Sequence, residues 1–490
     1  HTYSESSKKA FDEALAEAKK QTNGTAQAQS KARKSLAEAY LALEEVITYD
    51  SISGVDGAVI RDNNGKVIQA HGGQIQQLEV NGKKKWYWIG EDKTNDYRPC
   101  PGIHMYTSED LYNWTDEGLV LQTAKTFEEF KTKKYFTDLY GDLKTEEEQK
   151  AIFTDIWQGE SSEEGCVIER PKMLYNDKTG KYVIWFHADG QDPFAESAGG
   201  NYAKAKAGVA IADSPTGPYK LLGCYLLNTN EDADHGFDSE GGHVRDMNLF
   251  KDDDGSAYVM YSSDGNQTMH IARLNDEYTN VAKPQGEAVE GVDFTRNFIN
   301  ESREAPAMFK YNNKYYMVTS GCTGWAPNRA SYAVADHPLG PWTTVGDPCT
   351  DEGSGTTYDT QSTCVFPVDA ANGKFIYMGD RWSNPDKGYQ LRDSRYVWIP
   401  VEFKPDNKIA LKRYSNWKLD DPVFERKTDK KDLYELIKKA AGVEKDQHTA
   451  ASWAAFEKLY QEVLAVQIDA DADQKAVDAA RKQQLEAIKK

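Results

Sequence analysis

Five times along this chain a polar turn opens into a short strand of aromatic and β-branched residues. The segments are 81–91 (NGKKKWYWIGE), 176–187 (NDKTGKYVIWFH), 251–263 (KDDDGSAYVMYSS), 311–321 (YNNKYYMVTSG) and 371–382 (ANGKFIYMGDRW). Asn-Gly, Thr-Gly, Asp-Gly and Asn-Asn tolerate positive φ, which is what a tight hairpin turn requires. Each strand therefore has a partner just before it: 71–78, 169–175, 246–250, 304–310 and 361–368. Each partner begins polar and turns apolar within a few positions. A third strand follows four of the hairpins, at 103–107, 207–213, 269–274 and 331–336, twice ending in a Pro/Gly corner. Repeated hairpin-plus-strand units without helices of comparable size predict propeller blades. The expected fold is mainly β, a five-bladed β-propeller over residues 51–426. A charged, helix-prone insertion at about 123–162 falls on the first blade.

Composition separates this middle from two tails. All 17 prolines and 35 of 37 glycines lie in residues 51–426. The whole chain of 490 residues carries 59 basic and 78 acidic side chains, a net charge of −19, and the middle alone accounts for −18 of it. That acidity argues against a nucleic-acid or anionic-membrane partner. No stretch is long and apolar enough for membrane insertion. Residues 427–490 predict a small three-helix bundle. Trp453, Phe456, Tyr460, Val463 and Leu464 share one face of its middle helix, Leu433, Leu436 and Ile437 lie before it, and Val477, Leu485 and Ile488 follow. Residues 1–50 repeat the pattern for two helices, a partial copy of that module. The chain opens at His1 in what reads as mid-domain, as an excised piece of a longer protein does. Six cysteines show no CxxC spacing, which argues against a zinc site, and their pairing stays open among 15 possibilities.

In a propeller the first strand of each blade lines the central channel, so its opening residue reaches one mouth. Here those residues are His71, Glu169, Asp246, Glu304 and Gln361. Three carboxylates brought to one axis are costly unless paired, and they raise one another's pKa. Convergent carboxylates, one kept protonated, are equipment for glycoside hydrolysis. Trp325 in the turn 321–325 offers a face for a sugar ring. The plainer reading pairs Glu169 with Arg170, Asp246 with Arg245 and Glu304 with Arg303 as structural ion pairs, lets Gln361 bond to backbone, and treats His71 as structural.

Several phrases, in order along the chain, resemble glycoside hydrolase family 43 and within it the exo-β-1,3-galactanase group. They are Ala70-His71-Gly72-Gly73, Glu169-Arg170-Pro171-Lys172, the run 245–250 (RDMNLF), Arg303-Glu304-Ala305-Pro306, the run 319–325 (TSGCTGW), Gln361-Ser362-Thr363, Gly379-Asp380-Arg381-Trp382 and the run 393–398 (DSRYVW). The resemblance implies an inverting, exo-acting hydrolase that frees galactose from non-reducing ends of β-1,3-galactan in arabinogalactan. By it Glu304 is the general acid and Asp246 the carboxylate that orients and tunes it. Gln361 holds the attacking water, with Glu169 as the alternative base and otherwise a sugar ligand. Glu91, Tyr202, Asn266, Thr323 and Trp325 surround the terminal galactose. The first channel strand departs from the wider family by carrying no aspartate base. No cofactor or metal is expected. The partner is a polysaccharide or oligosaccharide and the setting extracellular or cell-surface, with a monomeric enzyme. The tails resemble the three-helix modules "found in various architectures" of Gram-positive surface proteins. Rival readings are an α-L-arabinofuranosidase or β-galactofuranosidase of the same family, and a non-catalytic carbohydrate-binding propeller.

Overall fold

The computed structural model describes residues 3–43, 46–195, 202, 204–227, 241–283, 286–382 and 391–488. Five four-stranded antiparallel sheets, each in simple sequential order, stand around one axis. Their innermost strands are His71–Val80, Cys166–Asn176, Arg245–Lys251, Arg303–Tyr311 and Gln361–Asp369. Each touches the next, and the fifth meets the first, so the ring is closed. A short ladder between Ile52–Ser53 and Asn416–Trp417 ties the two ends of the propeller together.

The hairpin turns form as their chemistry demands. Asn81 and Gly82 sit at φ 52° and 73°, and Asn312 and Asn313 at 52° and 59°, the paired positive φ of a two-residue hairpin loop. The strands between them are buried on both faces because every blade is packed on two sides. Five apolar cores result, one in each gap between blades. The gap between blades 5 and 1 holds Trp88, Trp114, Tyr396 and Trp398, and that between blades 4 and 5 holds Phe309, Tyr316, Phe375 and Tyr377.

Every blade, the fifth included, has a third and a fourth strand. The third strand of blade 5, Arg395–Lys404, and the five outer strands were not expected from sequence. Outer strands such as Thr343–Gly346 are four residues long and largely exposed, so no apolar alternation marks them.

Helices α1 (Glu5–Lys20) and α2 (Ala26–Leu41) form the N-terminal pair and bury only Ala32 between them. The insertion on blade 1 is helical: α3 (Phe127–Thr132), α4 (Lys134–Tyr140) and α5 (Glu146–Asp155). Thr145 and Glu148 cap α5 reciprocally, each side chain taking the other's backbone N–H, a capping box. Phe130, Phe136, Tyr140 and Phe153 pack these helices into the core shared by blades 1 and 2.

At the C-terminus α6 (Lys431–Ala441), α7 (Ala450–Ile468) and α8 (Gln474–Ile488) bury Leu433, Ile437, Val463, Leu464, Val477 and Ala480 together. Leu485, expected in this core, is exposed; the inward face of α8 is Val477, Ala480 and Gln484. The bundle is docked on the propeller by buried polar contacts. The Tyr311 hydroxyl donates to Gln467 O at 3.1 Å, Asn312 Nδ2 to Leu464 O at 3.1 Å and Gln467 Nε2 to Ala371 O at 2.6 Å. These contacts are at hairpin tips of blades 4 and 5, the ends of the innermost strands remote from Glu304 and Gln361.

Candidate active site

One device recurs at the opening of all five innermost strands. The register with the second strand breaks in the first half of each, between His71 and Gln74, Glu169 and Lys172, Arg245 and Met247, Glu304 and Ala307, and Ser362 and Cys364. A β-bulge inserts an unpaired residue and re-aims the side chains beside it. Gly72, Arg170 and Ala305 take positive φ there, at 58°, 54° and 53°. Pro171 and Pro306 follow two of these residues; a bulge is one place where a missing N–H is tolerated within a sheet. The shared Glu-x-Pro of blades 2 and 4 was therefore a legible sign of the bulge.

The bulges turn four of the five opening residues into one cavity of about 410 Å³. Glu169, Asp246, Glu304 and Gln361 line it, with Glu91, Tyr202, Asn266 and Trp325. His71 does not. It is fully buried, 2.9 Å from Gln69 through Nε2 and stacked on Tyr396 at 4.9 Å, and burial lowers its pKa to about 3. Its role is structural. Its cross-strand partner Glu91 enters the cavity instead, and Gly72 makes room for it, since a Cβ there would stand 2.2 Å from Glu91 Oε1. Thr323 also differs from expectation. Its hydroxyl donates to Ala326 O at 2.6 Å and accepts from Asn328 Nδ2 at 2.7 Å, so it braces its own turn and does not line the cavity.

Glu169 and Glu304 do not take the contacts that define the site from the arginines beside them in sequence. Arg170 points across the channel, with Nε 3.2 Å from Asp246 Oδ1 and Nη1 donating to Ser362 O at 2.8 Å. Its Nη2 donates to Gln361 Oε1, and its backbone N–H donates to Glu91 Oε1 at 2.8 Å. The guanidinium carbon stands 5.8 Å from the Trp382 ring centre, within cation–π range. Arg303 instead donates to Thr319 Oγ1 at 2.9 Å and Thr319 O at 2.7 Å. Glu169 Oε2 lies 3.1 Å from His187 Nδ1, whose Nε2 is 3.1 Å from Asp189.

These contacts divide the protonation states. Burial, and next the charge of Asp246, raise the pKa of Glu304 to about 8; Arg170, Cys322 and Gln361 pull it back. At neutral pH Glu304 holds its proton. Burial also works against ionisation of Glu169, but the His187 hydrogen bond and the charges of His187, Lys93 and Arg170 prevail and bring it down to about 2. His187, buried between Glu169 and Asp189, is raised to about 10 despite desolvation. Burial raises Glu91, and Lys93 Nζ at 2.9 Å offsets part of that. One neutral acid and one ionised carboxylate in the same cavity are the pair that general acid–base chemistry needs.

The cavity has an aromatic wall. Trp325, 38% exposed, meets Trp382 edge-on at 5.3 Å and Tyr97 at 6.1 Å. Tyr97 donates to the Tyr202 hydroxyl at 2.9 Å, and Tyr202 donates to Glu169 Oε1 at 3.2 Å. The side-chain oxygen of Asn266 is buried without a hydrogen-bond partner among the described residues, an acceptor open to a ligand hydroxyl. Arg170, His187, Lys93, Tyr97 and Trp382 were not read as site residues from sequence. Arg170 sits in the bulge of an innermost strand, His187 on a second strand, and Lys93, Tyr97 and Trp382 in loops that the closed ring brings to the mouth.

The sequence pattern of "Glycosyl hydrolases family 43" matches residues 170–364. A solved β-1,3-galactosidase of that family, with galactodeoxynojirimycin, is 33% identical, with 75% of this chain and 100% of that chain covered and a TM-score of 0.57. The chain belongs to glycoside hydrolase family 43. A second family 43 β-1,3-galactosidase is 32% identical over 76% of this chain and 64% of that one, with a TM-score of 0.58. An exo-β-1,3-galactanase from Clostridium thermocellum is 30% identical over 75% of this chain and 66% of that one, with a TM-score of 0.56. The chain thus spans just under two-thirds of these two relatives. Among curated proteins none matches the chain. Family membership agrees with the five blades and with the carboxylates at the channel mouth.

Proposed function

We propose that this family 43 member is an exo-acting, inverting β-1,3-galactanase that releases galactose from the non-reducing ends of β-1,3-galactan in arabinogalactan. The observation that carries the reading is Glu304, buried and protonated to about pH 8 within a cavity that also holds ionised Glu169. A site that only bound sugar has no use for an acid so tuned. The similar solved enzymes, named for β-1,3-galactosidase and exo-β-1,3-galactanase activity, support the choice of sugar and linkage.

Glu304 protonates the departing glycosidic oxygen as the anomeric C–O bond breaks. Asp246, whose charge helps raise Glu304, keeps it protonated between turnovers. Water attacks the opposite face of the sugar and gives up a proton. Either Gln361, to which the family resemblance points, or Glu169 holds that water. Trp325 stacks on the terminal ring, and Glu91, Tyr202 and Asn266 bond its hydroxyls. A polymeric substrate sets the enzyme outside the cell or on its surface, working as a monomer, with the helical tails as spacers.

Turnover of β-1,3-galactobiose followed by proton NMR tests the reading. Wild type gives α-galactose first, and Glu304→Gln loses on the order of 100-fold or more of the rate. Undiminished turnover in Glu304→Gln removes the acid assignment. β-Galactose as the first product removes inversion, and hydrolysis of an arabinofuranoside in preference to galactobiose removes the substrate.

A further inference from the structure

The amide of Gln361 has all four of its hydrogen-bonding positions filled. Oε1 accepts from Trp382 Nε1 at 2.8 Å and from Arg170 Nη2. Nε2 donates to Glu304 Oε1 at 2.9 Å and to Ser320 Oγ at 3.0 Å. The orientation of an amide is assigned from its network, and here the network allows one answer. Indole and guanidinium are donors only, so the atom facing them is the oxygen.

Those two donors bear on the chemistry open to Gln361. An amide takes a proton from water only by reacting as its imidic tautomer, which carries a hydroxyl where the amide has its carbonyl. That hydroxyl needs an acceptor. It would face Arg170 and Trp382, which offer none, in a buried place where an unmatched donor costs about 1–3 kcal/mol. The amide nitrogen is committed as well, one N–H to each of two oxygens. Both lone pairs of Oε1 and both N–H groups of Gln361 are taken by protein partners.

We propose that Gln361 is a positioning residue for the acid and not the acceptor of the water's proton. Its N–H occupies Oε1 of Glu304, which leaves Oε2 as the oxygen that carries the acidic proton. Arg170 and Trp382 hold the amide from behind, so the acid is aimed by a rigid chain running from blade 2 through blade 5 to blade 4. In the reaction the Oε2 proton goes to the glycosidic oxygen and the C–O bond breaks toward the leaving sugar. The proton of the attacking water goes to a cavity carboxylate, for which Glu169 is held ionised. This inference rests on the proposed glycosidase reading.

Leaving-group dependence tests it, because an activated aryl leaving group departs without protonation and still needs the water. Gln361→Ala is assayed on β-1,3-galactobiose and on 2,4-dinitrophenyl β-galactoside, with and without azide. A positioning role predicts a loss of roughly 100-fold on the disaccharide and only a few-fold on the aryl galactoside. It also predicts no glycosyl azide and a basic limb of the kcat/KM profile moved to higher pH, since the N–H that favours the Glu304 carboxylate is gone. Equal losses on both substrates, restored by azide with an unmoved limb, overturn the proposal. Trp382→Phe keeps a ring over Arg170 and removes one donor to Oε1. It shifts the same limb the same way by a smaller amount, and it serves if Gln361→Ala does not fold. An unmoved limb in a folded Trp382→Phe also counts against the proposal. Wild type inert on both substrates defeats the glycosidase reading itself, a result distinct from either outcome above.

Discussion

Arg170 Nε lies 3.2 Å from Asp246 Oδ1, an ion pair that joins blades 2 and 3 inside the channel mouth. The same guanidinium lowers the pKa of Glu304 and holds Gln361. Arg170→Met is expected to cost about 100-fold or more in kcat/KM and to move the basic limb upward in pH, because a positive charge beside Glu304 is lost. Arg170→Lys is expected to recover little, since one ammonium cannot reach both partners with the guanidinium's fixed fork. Steady-state rates against pH on β-1,3-galactobiose check both.

The acid form of Glu304 is the active one, so activity is present below its pKa and lost as pH rises through it. With that pKa at about 8, kcat/KM falls off on the alkaline side near pH 8. Asp246→Asn removes the nearby negative charge, and the limb moves to lower pH while the maximal rate drops. A limb that stays in place in Asp246→Asn contradicts the electrostatic role.

Stability follows a different pair. His187 is raised from 6.5 to about 10, so its contribution is complete below pH 6.5 and is lost as pH climbs through 10. Glu169 is lowered from 4.5 to about 2, so its contribution is complete above pH 4.5 and is lost as pH falls through 2. The pair therefore stabilises most between about pH 4.5 and 6.5. His187→Gln leaves Glu169 and Asp189 without their shared cation and costs roughly 3–5 kcal/mol. Thermal melts of wild type and variant across pH 3–10 measure it, and the gap between the two curves narrows at both extremes.

Trp325→Ala removes an exposed ring from the cavity wall and leaves the acid untouched. A stacked aromatic contact is worth about 0.5–1.5 kcal/mol beyond its area, so KM is expected to rise about 10-fold with kcat within a few-fold of wild type. Initial rates over a range of galactobiose concentrations separate the two constants.

Asn312 supplies one of the hydrogen bonds that fasten α7 to the tip of blade 4, beside that of Tyr311. Asn312→Ala leaves Leu464 O without that donor in a buried place and is expected to cost about 1–3 kcal/mol. The melting temperature falls while kcat/KM stays unchanged, because the contact lies at the end of the innermost strand away from Glu304.

The propeller was legible because turn chemistry is local. Asn81-Gly82 and Asn312-Asn313 declare hairpins without reference to anything distant. The meeting of Glu169, Asp246, Glu304 and Gln361 followed from counting strands. What sequence hid was partnership. Glu169 stands next to Arg170 in the chain, yet it bonds His187 across its hairpin while Arg170 reaches Asp246 and Gln361. The bulge between them, with its positive φ, sends the two side chains to different partners. Thr323 was drawn to the site by its place in a motif, but its hydroxyl satisfies its own turn. Outer strands such as Thr343–Gly346 were missed because they bury too little to leave a pattern.

The five bulges have a consequence for how such a mouth can change. Each one uncouples the pairing at the opening from the ladder beyond it, so that ladder keeps its register whatever the opening residue is. Blade 1 shows the outcome: His71 has withdrawn into the wall and Glu91, from the neighbouring strand, occupies the opening. The rim behaves as five sockets on a fixed frame. Chemistry can be exchanged one socket at a time, and the frame that holds the other four does not have to be rebuilt.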